Sequence, residues 1–288
     1  MPELPEVEAV RSQLESFLKG HKIIDVLIEN SKSFVGDKKD VIGAKFLSFR
    51  RFGKVLVLDL DNGFSILVHL KLTGQLVYRG PNLKNPPQLS SKVVGGLPSK
   101  YTRVIFKLDR GGVLYFNDLR IFGWIKIVEN KEVESQKMLD NLGYEPPVLK
   151  KQKLPILTLE KFKEIVNKTK RPIKIVIMDQ SKIAGVGNIY ANDALWLAEI
   201  NPKRAAKDLS EIEQKKLYNS IIKVLEDGIK RGGSSENTFV NPDGSEGNYQ
   251  NFTLVYGRDG QKCKRCSTLI KKIQLGGRGT YFCPNCQS

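Results

Sequence analysis

The chain has 288 residues, of which 40% are hydrophobic and 27% charged, an ordinary composition for a globular protein with room for two domains. Its formal net charge of +16 and sequence pI of about 9.6 favour a polyanionic partner, most simply nucleic acid. The sequence holds no apolar run long enough to cross a bilayer and no N-terminal signal pattern, so we expect a cytoplasmic protein with no membrane partner, whose four cysteines do not form disulfides.

The first eight residues, Met-Pro-Glu-Leu-Pro-Glu-Val-Glu, allow two interpretations. In the first they only begin a helix, since Pro5 suits a first helical position and acidic residues suit a first turn. In the second, removal of Met1 leaves Pro2 as a free secondary amine, and an α-amine has a pKa of about 8, below the roughly 10.4 of a lysine side chain. Such an amine can attack electrophilic carbon and form a Schiff base, and Glu3 beside it could transfer protons.

The residues from Pro5 to about Glu129 predict one helix followed by β-structure. Apolar residues recur with helical spacing up to a stop at Gly20. Short runs rich in Val, Ile and Phe follow, broken by Gly and Asp-Asn-Gly turns, and so many short strands indicate a two-sheet sandwich. The predicted strands are Ile23–Glu29, Ala44–Phe49, Lys54–Leu60, Ser65–Leu70, Thr102–Leu108, Val113–Asn117 and Trp124–Val128. The proline-rich stretch from Gly80 to Lys100 predicts a mobile surface loop.

The second half of the chain predicts a linker and then helices. Residues 131–155 are polar and typical of an interdomain linker. The linker includes Pro146, Pro147 and the basic run Lys150, Lys151 and Lys153. The predicted helices are Leu159–Asn167, Ile173–Met178, Asn188–Ile200 and Ser210–Arg231. Ser210 and Glu213 form a capping box for the last helix, and a Gly-, Ser- and Asn-rich loop at 232–251 separates it from a short β-rich tail.

Two Cys-x-x-Cys pairs lie in this tail, separated by sixteen residues. The four cysteines are Cys263, Cys266, Cys283 and Cys286. Their spacing predicts a tetrahedral structural site for one Zn²⁺, whereas a redox pair would need only one of the two motifs. Many basic residues and a single acid, Asp259, surround them, so a zinc-stapled hairpin is expected to lie on phosphates.

Two further features are ambiguous by themselves. Gly185 and Gly187 stand just before a predicted helix, where glycines let backbone amides approach a phosphate at the helix N-terminus. Such a pair of glycines is, however, most often only a turn. Lys54 opens a predicted strand, where a lysine is by default a solvated charge.

The stretch Pro2–Glu8, together with the segments at 51–54, 117–123 and 179–196 and the terminal cysteines, resembles the formamidopyrimidine-DNA glycosylase family of base-excision repair enzymes. These matches extend over nearly the whole chain. The resemblance implies an α+β multidomain fold. Its expected parts are a catalytic β-sandwich domain with an N-terminal helix at 1–130, the linker at 131–155, a helix-two-turn-helix DNA-binding domain with a lesion-covering loop at 156–250, and a four-cysteine zinc-finger β-hairpin at 251–288.

The resemblance also implies roles for residues near the chemistry. It makes Pro2 the nucleophile and Glu3 the proton donor to the sugar and base. It makes Lys54 an active-site lysine that contacts the phosphate near the target sugar, and it brings Arg278 of the finger to the lesion. Glu6 is expected in a supporting role, accepting hydrogen bonds near the amine or the flipped base.

Further residues are implied to contact DNA. Asn188 matches a phosphate-binding asparagine in the helix-two-turn-helix element. Leu72, Arg120 and Phe122 match residues that fill the gap left by a flipped base, where an apolar wedge lowers the cost of unstacking. His69, in the first of these two loops, is expected to pack or hydrogen-bond rather than to take part in catalysis.

Three residues depart from the family pattern in these loops. Leu72 stands where the family usually has Met, Leu119 where it has Pro, and Ile121 where it has a second Arg. A leucine can wedge as a methionine does, so the role of Leu72 is retained. The other two departures leave the loop geometry and the opposite-base preference open.

The expected activity is that of a bifunctional DNA glycosylase and abasic-site lyase. It would remove 8-oxoguanine and formamidopyrimidines from damaged double-stranded DNA through a Schiff base at Pro2 and β,δ-elimination, acting as a monomer with one structural Zn²⁺. Two alternatives remain. One is an oxidised-pyrimidine glycosylase of the endonuclease VIII type, whose start resembles Pro-Glu-Gly-Pro-Glu where this chain has Leu4. The other is a non-catalytic zinc-ribbon DNA-binding protein, which would not need Pro2 and Glu3.

Overall fold

The computed structural model describes residues 1–149 and 153–288, so the predicted basic run at Lys150 and Lys151 lies outside the described residues. The described chain forms two compact units. The first, here called the N-terminal unit, comprises Met1–Asp140 and Ile229–Gln250. The second, here called the helical unit, comprises Asn141–Gly228 and Asn251–Ser288.

The loop at 232–251 lies almost entirely in the N-terminal unit, whereas the sequence-based division assigned it to the helical domain. Two kinds of contact hold it there. The Gln75 side chain donates a hydrogen bond to the carbonyl of Thr238, and Val240 is buried against Val77 and Val93. The other domain boundaries stay predictions.

Helix α1 spans Leu4–Leu18, with a proline in its first turn and Glu3 as its N-cap. One face of the helix is fully buried and packs on the sandwich. That face consists of Val7, Val10, Leu14 and Leu18. Each such aliphatic side chain contributes about 1.5–3 kcal/mol when it is removed from water. The predicted helix is confirmed, and its burial fixes the position of the N-terminus.

The predicted β-sandwich is confirmed, with strand orders β1-β7-β8-β6 and β2-β9-β5-β4-β3 in its two sheets. The strands are β1 (Ile23–Ile28), β2 (Phe34–Val35), β3 (Phe46–Phe52), β4 (Val55–Leu60), β5 (Phe64–His69), β6 (Gly74–Arg79), β7 (Thr102–Leu108), β8 (Val113–Asp118) and β9 (Trp124–Glu129). Large rings fill the space between the sheets. Phe46, Tyr78, Phe106 and Phe116 are among those fully buried.

Two strands are missing from the prediction, β2 and β6. Strand β6 carries Gln75 and Arg79 among its apolar residues, which obscures the strand pattern, yet it pairs along its whole length with β8. Strand β2 has only two residues and exists through its parallel pairing with β9. Both strands therefore depend on tertiary pairing more than on their own composition.

Four helices of the second half follow the prediction closely: α3 (Leu159–Asn167), α4 (Ile173–Ile177), α5 (Asn188–Ala198) and α6 (Glu211–Lys230). A short further helix, α2 (Lys137–Asp140), lies in the stretch that was predicted to be linker. The predicted capping box is present, since the Ser210 backbone N–H donates to Glu213 Oε2 at 2.8 Å and the Glu213 backbone N–H donates to Ser210 Oγ at 3.4 Å. Short 3-10 turns lie at Ser31–Ser33, Lys38–Asp40, Asp109–Gly111, Asn130–Glu132, Ala206–Asp208 and Tyr249–Asn251.

The β-rich tail is a hairpin of β10 (Lys271–Leu275) and β11 (Arg278–Phe282). Its two-residue turn, Gly276 and Gly277, has φ values of +58° and +72°, which glycine adopts without strain and which suit a tight hairpin. No helix within the described parts of the chain is long and apolar enough to cross a membrane.

Candidate active site

The N-terminal site is organised by two buried carboxylates, Glu3 and Glu6. The Glu3 backbone N–H donates to Glu6 Oε2 at 2.7 Å, and the Glu3 carboxylate accepts from the Glu6 backbone N–H in return. Their exposed fractions are only 2% and 1%, and Pro2 beside them is also buried. This reciprocal pair satisfies the first helical N–H groups and holds the start of the chain in one conformation. Both carboxylates are thus held at the start of the helix beside Pro2.

The second oxygen of Glu6 attaches a distant loop to this site. Glu6 Oε1 accepts a hydrogen bond from the Ser234 backbone N–H at 2.7 Å. Gly233 has a φ of +81°, and a Cβ built there would lie 2.8 Å from Glu6 Cγ, so a side chain at this position would collide with the carboxylate arm. The loop follows from its Gly-, Ser- and Asn-rich sequence, but nothing in that pattern indicates that Ser234 reaches Glu6.

A buried ion pair links α1 to the turn that precedes Lys54. Arg51 Nε donates to Glu8 Oε2 at 3.0 Å, and Arg51 Nη1 donates to the Gly53 carbonyl at 2.8 Å. Arg51 and Glu8 are 5% and 6% exposed, and Lys54 is 5% exposed. No role was predicted for Glu8. It lies one helical turn after the buried Leu4, and a carboxylate buried there needs a partner.

A single carboxylate ties together the two loops that were expected to fill the gap in DNA. The carboxylate of Asp118, which is fully buried, accepts hydrogen bonds from Thr73 Oγ1, from the Arg120 backbone N–H at 3.2 Å and from the Gly123 backbone N–H at 2.7 Å. Thr73 belongs to the β5–β6 loop and the other two to the β8–β9 loop. No role was predicted for Asp118, although an Asp that begins a turn often binds nearby N–H groups.

The β8–β9 loop presents an apolar and cationic tip to solvent. Phe122 is 50% exposed and Leu119 43% exposed, and the Arg120 guanidinium lies 4.8 Å from the centre of the Phe122 ring. Ile121 has a φ of +56°, which is strained for a β-branched residue. Leu72 in the neighbouring loop is half-buried. The departure at Ile121 therefore falls at the most strained position of the loop.

His69 lies where the positive charges of two lysines act on it. Its Nδ1 accepts a hydrogen bond from the Lys71 backbone N–H at 3.0 Å, which assigns the ring proton to Nε2. Burial, with the charges of Lys71 and Lys54, lowers the pKa of His69 to about 3. The ring is therefore neutral at pH 7 and offers one N–H donor near Lys54.

In the helical unit, the hairpin strand that starts with Arg278 is anchored on the helices. Asn188, the first residue of α5, donates from Nδ2 to the Gly279 carbonyl at 3.1 Å. The fully buried Lys174 donates from Nζ to the same carbonyl at 2.9 Å and to Thr280 Oγ1 at 2.7 Å. The structure therefore brings Asn188 close to exposed Arg278. Lys174 was missed, although a lysine inside the apolar run Ile-Lys-Ile-Val-Ile signals a buried partner.

The four cysteines come together as predicted. Their sulfur atoms all lie within 4.8 Å of one another, with Cys263 and Cys286 3.9 Å apart and Cys266 and Cys283 3.4 Å apart. A tetrahedral zinc with bonds of about 2.3 Å separates its sulfur ligands by about 3.8 Å, so the donor set fits Zn²⁺. Trp196 Nε1 also donates to Cys263 Sγ at 3.4 Å, a contact that favours the thiolate.

Family models cover most of the chain. The formamidopyrimidine-DNA glycosylase N-terminal domain matches residues 1–125, the H2TH domain of the same glycosylase matches residues 143–240, and a zinc finger found in FPG and IleRS matches residues 260–288. The formamidopyrimidine-DNA glycosylase of Pelotomaculum thermopropionicum is 39% identical, and that of Listeria innocua 37% identical. Each alignment covers 100% of this chain, with 99% and 100% of the respective relative.

Solved structures of the Lactococcus lactis enzyme share the fold. A mutant of that protein in complex with a Fapy-dG-containing DNA superposes with a TM-score of 0.86 at 33% identity. The wild-type protein in complex with an oxidised-pyrimidine-containing DNA superposes with a TM-score of 0.85, also at 33% identity. Both comparisons cover 100% of this chain and 100% of the other.

Proposed function

Since the chain belongs to the formamidopyrimidine-DNA glycosylase family, we propose that it is a bifunctional DNA glycosylase and abasic-site lyase that removes oxidised purines from duplex DNA. The observation that carries the proposal is the pair of buried carboxylates, Glu3 and Glu6, hydrogen-bonded to each other's backbone beside Pro2. The capping box satisfies two N–H groups at the start of the helix, and it also fixes both carboxylates beside Pro2. An acid that must act beside an amine has to be held in a fixed position.

The reaction begins at the Pro2 nitrogen, which is a secondary amine once Met1 has been removed. The amine forms a bond to C1′ of the damaged nucleotide as the glycosidic bond breaks, and that electron pair leaves with the base, which takes up a proton. The nitrogen loses its own proton, and Glu3 protonates O4′ as the C1′–O4′ bond opens, which leaves an iminium between the sugar and Pro2. Loss of protons from C2′ and then C4′ expels the 3′ and 5′ phosphates in turn.

Phosphate contacts fix the sugar during these steps. Lys54 supplies a positive charge to the phosphate near the target sugar. The neutral His69 offers its Nε2–H to the DNA as a hydrogen-bond donor. In the helical unit, Asn188 uses one N–H of its side-chain amide for Gly279 and has a second for a phosphate at the start of α5. These residues position DNA and carry no base specificity.

The β5–β6 and β8–β9 loops occupy the gap left by the extruded nucleotide. Phe122 stacks in the gap, Arg120 hydrogen-bonds the unpaired base opposite, and Leu72 enters beside them. The exposed Phe122 ring under the Arg120 guanidinium supports this assignment, because it combines an apolar surface with hydrogen-bond donors. Asp118 holds both loops so that the three side chains act together.

Zinc bound by the four cysteines cross-links the finger and takes no part in the reaction. The resemblance brings Arg278, at the start of β11, to the lesion, and the bonds of Asn188 and Lys174 to Gly279 hold the start of β11 on the helices of its own unit. The protein acts on DNA as a monomer. Because the relatives are bacterial enzymes, we place its action in the cytoplasm.

Oxidised pyrimidines are a second substrate class. The Lactococcus lactis neighbour is bound to an oxidised-pyrimidine-containing DNA in one of its structures. Leu4, the residue that departs from the pyrimidine-type start, is fully buried in the N-terminal unit. It therefore does not contact a base, and the departure at Leu4 by itself does not decide between the two substrate classes.

Borohydride trapping tests the proposal. The protein without Met1, verified by intact mass, should form a covalent adduct with duplex DNA that contains 8-oxoguanine. One residue added ahead of Pro2 turns its nitrogen into an amide and should abolish the adduct while DNA binding persists. Robust trapping by the extended protein would contradict the assignment of Pro2 and make Lys54 the first alternative nucleophile.

A further inference from the structure

The proline-rich segment was expected to be a mobile loop. Over residues 89–97, hydrogen bonds and an ion pair instead hold it against the loop at 232–251. The Ser90 backbone N–H donates to the Gly244 carbonyl at 3.0 Å, and Ser90 Oγ donates to Glu246 Oε1 at 2.6 Å. Lys92 Nζ lies 2.6 Å from Glu246 Oε2 and also donates to the Ser235 carbonyl. A lysine and a serine thus hold both oxygens of one carboxylate.

A buried amide on β6 joins the same two elements. Gln75, which is 1% exposed, donates from Nε2 to the Thr238 carbonyl and to the Lys92 carbonyl, the latter at 2.7 Å. Its Oε1 accepts from the Val94 backbone N–H at 3.1 Å. Beneath it Val77, Val93 and Val240 form a buried cluster. The 89–97 segment is therefore built into the attachment of the loop.

The fastened loop adjoins the N-terminal site. Ser234 donates to Glu6, and Ser235 is held by the Gln250 side chain at 2.8 Å in addition to Lys92. Between the anchors at Ser235 and Thr238 lie Glu236 and Asn237, which are exposed. The attachments therefore hold a short polar tip beside the carboxylates that flank Pro2.

We propose that Lys92 is a positioning residue for base selection, which acts by holding residues 235–238 next to the N-terminal site. This inference rests on the proposed function. An extruded base must occupy space beyond the sugar carbon attacked by Pro2, and the tip offers hydrogen-bonding groups there. An abasic nucleotide has no base, so its cleavage does not depend on the tip. Lys92 should therefore affect base excision and leave strand cleavage at an abasic site unchanged.

The test compares Lys92→Met with wild-type protein on two duplexes under single-turnover conditions. One duplex carries 8-oxoguanine and the other a preformed abasic site. We expect excision of 8-oxoguanine to slow about tenfold and abasic cleavage to stay within about twofold, since misplacement of a contact costs rate only for the substrate that uses it. Lys131→Met is the matched control, because Lys131 forms an exposed ion pair with Glu129 at 2.7 Å in the same unit.

A conservative variant keeps the inference testable if Lys92→Met is unstable. Lys92→Arg retains a positive charge and donors for Glu246 and the Ser235 carbonyl, so it should retain most of the excision of 8-oxoguanine that Lys92→Met loses. Equal losses on both duplexes, or no loss on either, would overturn the role of Lys92 while leaving the glycosylase assignment intact. A wild-type protein that processes neither duplex would overturn the proposed function, and this inference with it.

Discussion

The N-terminal site and the zinc finger are built on opposite principles. Around Pro2 the important groups are acidic and buried, since Glu3, Glu6 and Glu8 are 2%, 1% and 6% exposed and each binds a backbone N–H or an arginine. Around the cysteines most charges are basic and exposed. Those charges are Arg258, Lys262, Lys264, Arg265, Lys271, Lys272 and Arg278, with Asp259 as the single acid.

The difference reflects what each region must do. Acid–base chemistry requires a few groups in fixed positions, and buried carboxylates hold them there because every hydrogen bond lost in a dry environment costs about 1–3 kcal/mol. Phosphate binding requires positive charge at the surface and little angular accuracy. In the finger the four cysteines can hold a metal beside a small buried cluster that includes Val255 and Ile270, whereas the N-terminal site depends on the sandwich beneath it.

The largest expected effect is on the N-terminal site. Glu3→Gln keeps the amine and the size of the side chain but cannot transfer a proton, so excision of 8-oxoguanine should fall by on the order of 10²-fold or more. Cleavage of a preformed abasic site should fall less, because its base is already gone. Single-turnover rates on the two duplexes measure this. Glu15→Gln is the control, because Glu15 lies in the same helix but its side chain is 39% exposed. If Glu3→Gln excised the base at an undiminished rate, the acid role would pass to Glu6 or to water.

The next effect concerns the finger. Cys283→Ser removes one thiolate from the tetrahedral set and should release zinc, unfold the finger and weaken the affinity for lesion DNA, because binding of a structural zinc supplies folding free energy. Metal analysis of the purified protein and a binding titration check the two results. Wild-type protein treated with a chelator should behave in the same way. A variant that lost zinc yet bound lesion DNA normally would show that the finger is not part of the binding surface.

A smaller effect is expected at the tip of the β8–β9 loop. Phe122→Ala should slow the handling of 8-oxoguanine more than that of an abasic site, because unstacking a paired base costs a few kcal/mol and less when the base is missing. Leu72→Ala should act in the same direction. Leu47→Ala is the control, since Leu47 is an apolar residue of the same unit and is 56% exposed. Equal losses on both substrates would indicate general misfolding instead of a wedge.

The smallest effect is a pH dependence of stability from His69. Its pKa of about 3 in the folded protein lies below the ordinary value of 6.5, so the unfolded chain binds more protons between these two values. The contribution of His69 is complete above pH 6.5 and is lost as the pH falls towards 3. The free energy of unfolding should therefore decrease less between pH 7 and pH 5 in His69→Gln than in the wild type, as measured by urea denaturation. Identical decreases would contradict the lowered pKa.

Much of this molecule follows from local sequence. The helical spacing after Pro5, the alternating strands, the Ser210 and Glu213 capping box and the Cys-x-x-Cys spacing each act over a few residues, and each element appears as predicted. The capping box and the helical stripe are satisfied by the backbone of their own segment. The roles of Lys54 and Arg278 came from family resemblance, and that of Pro2 came from its N-terminal amine together with the resemblance. All three stay predictions.

Other features required the folded chain. Strand β6 exists through its pairing with β8, Asp118 joins loops 45 residues apart in sequence through Thr73, and Glu6 binds Ser234, which is 228 residues away. The sequence by itself determined which segments are helical, extended or metal-binding, because those preferences arise from neighbouring residues. Only the tertiary structure decided which buried carboxylate meets which distant N–H, because a hydrogen bond between remote segments depends on how the intervening chain packs and leaves no periodic signal in either segment.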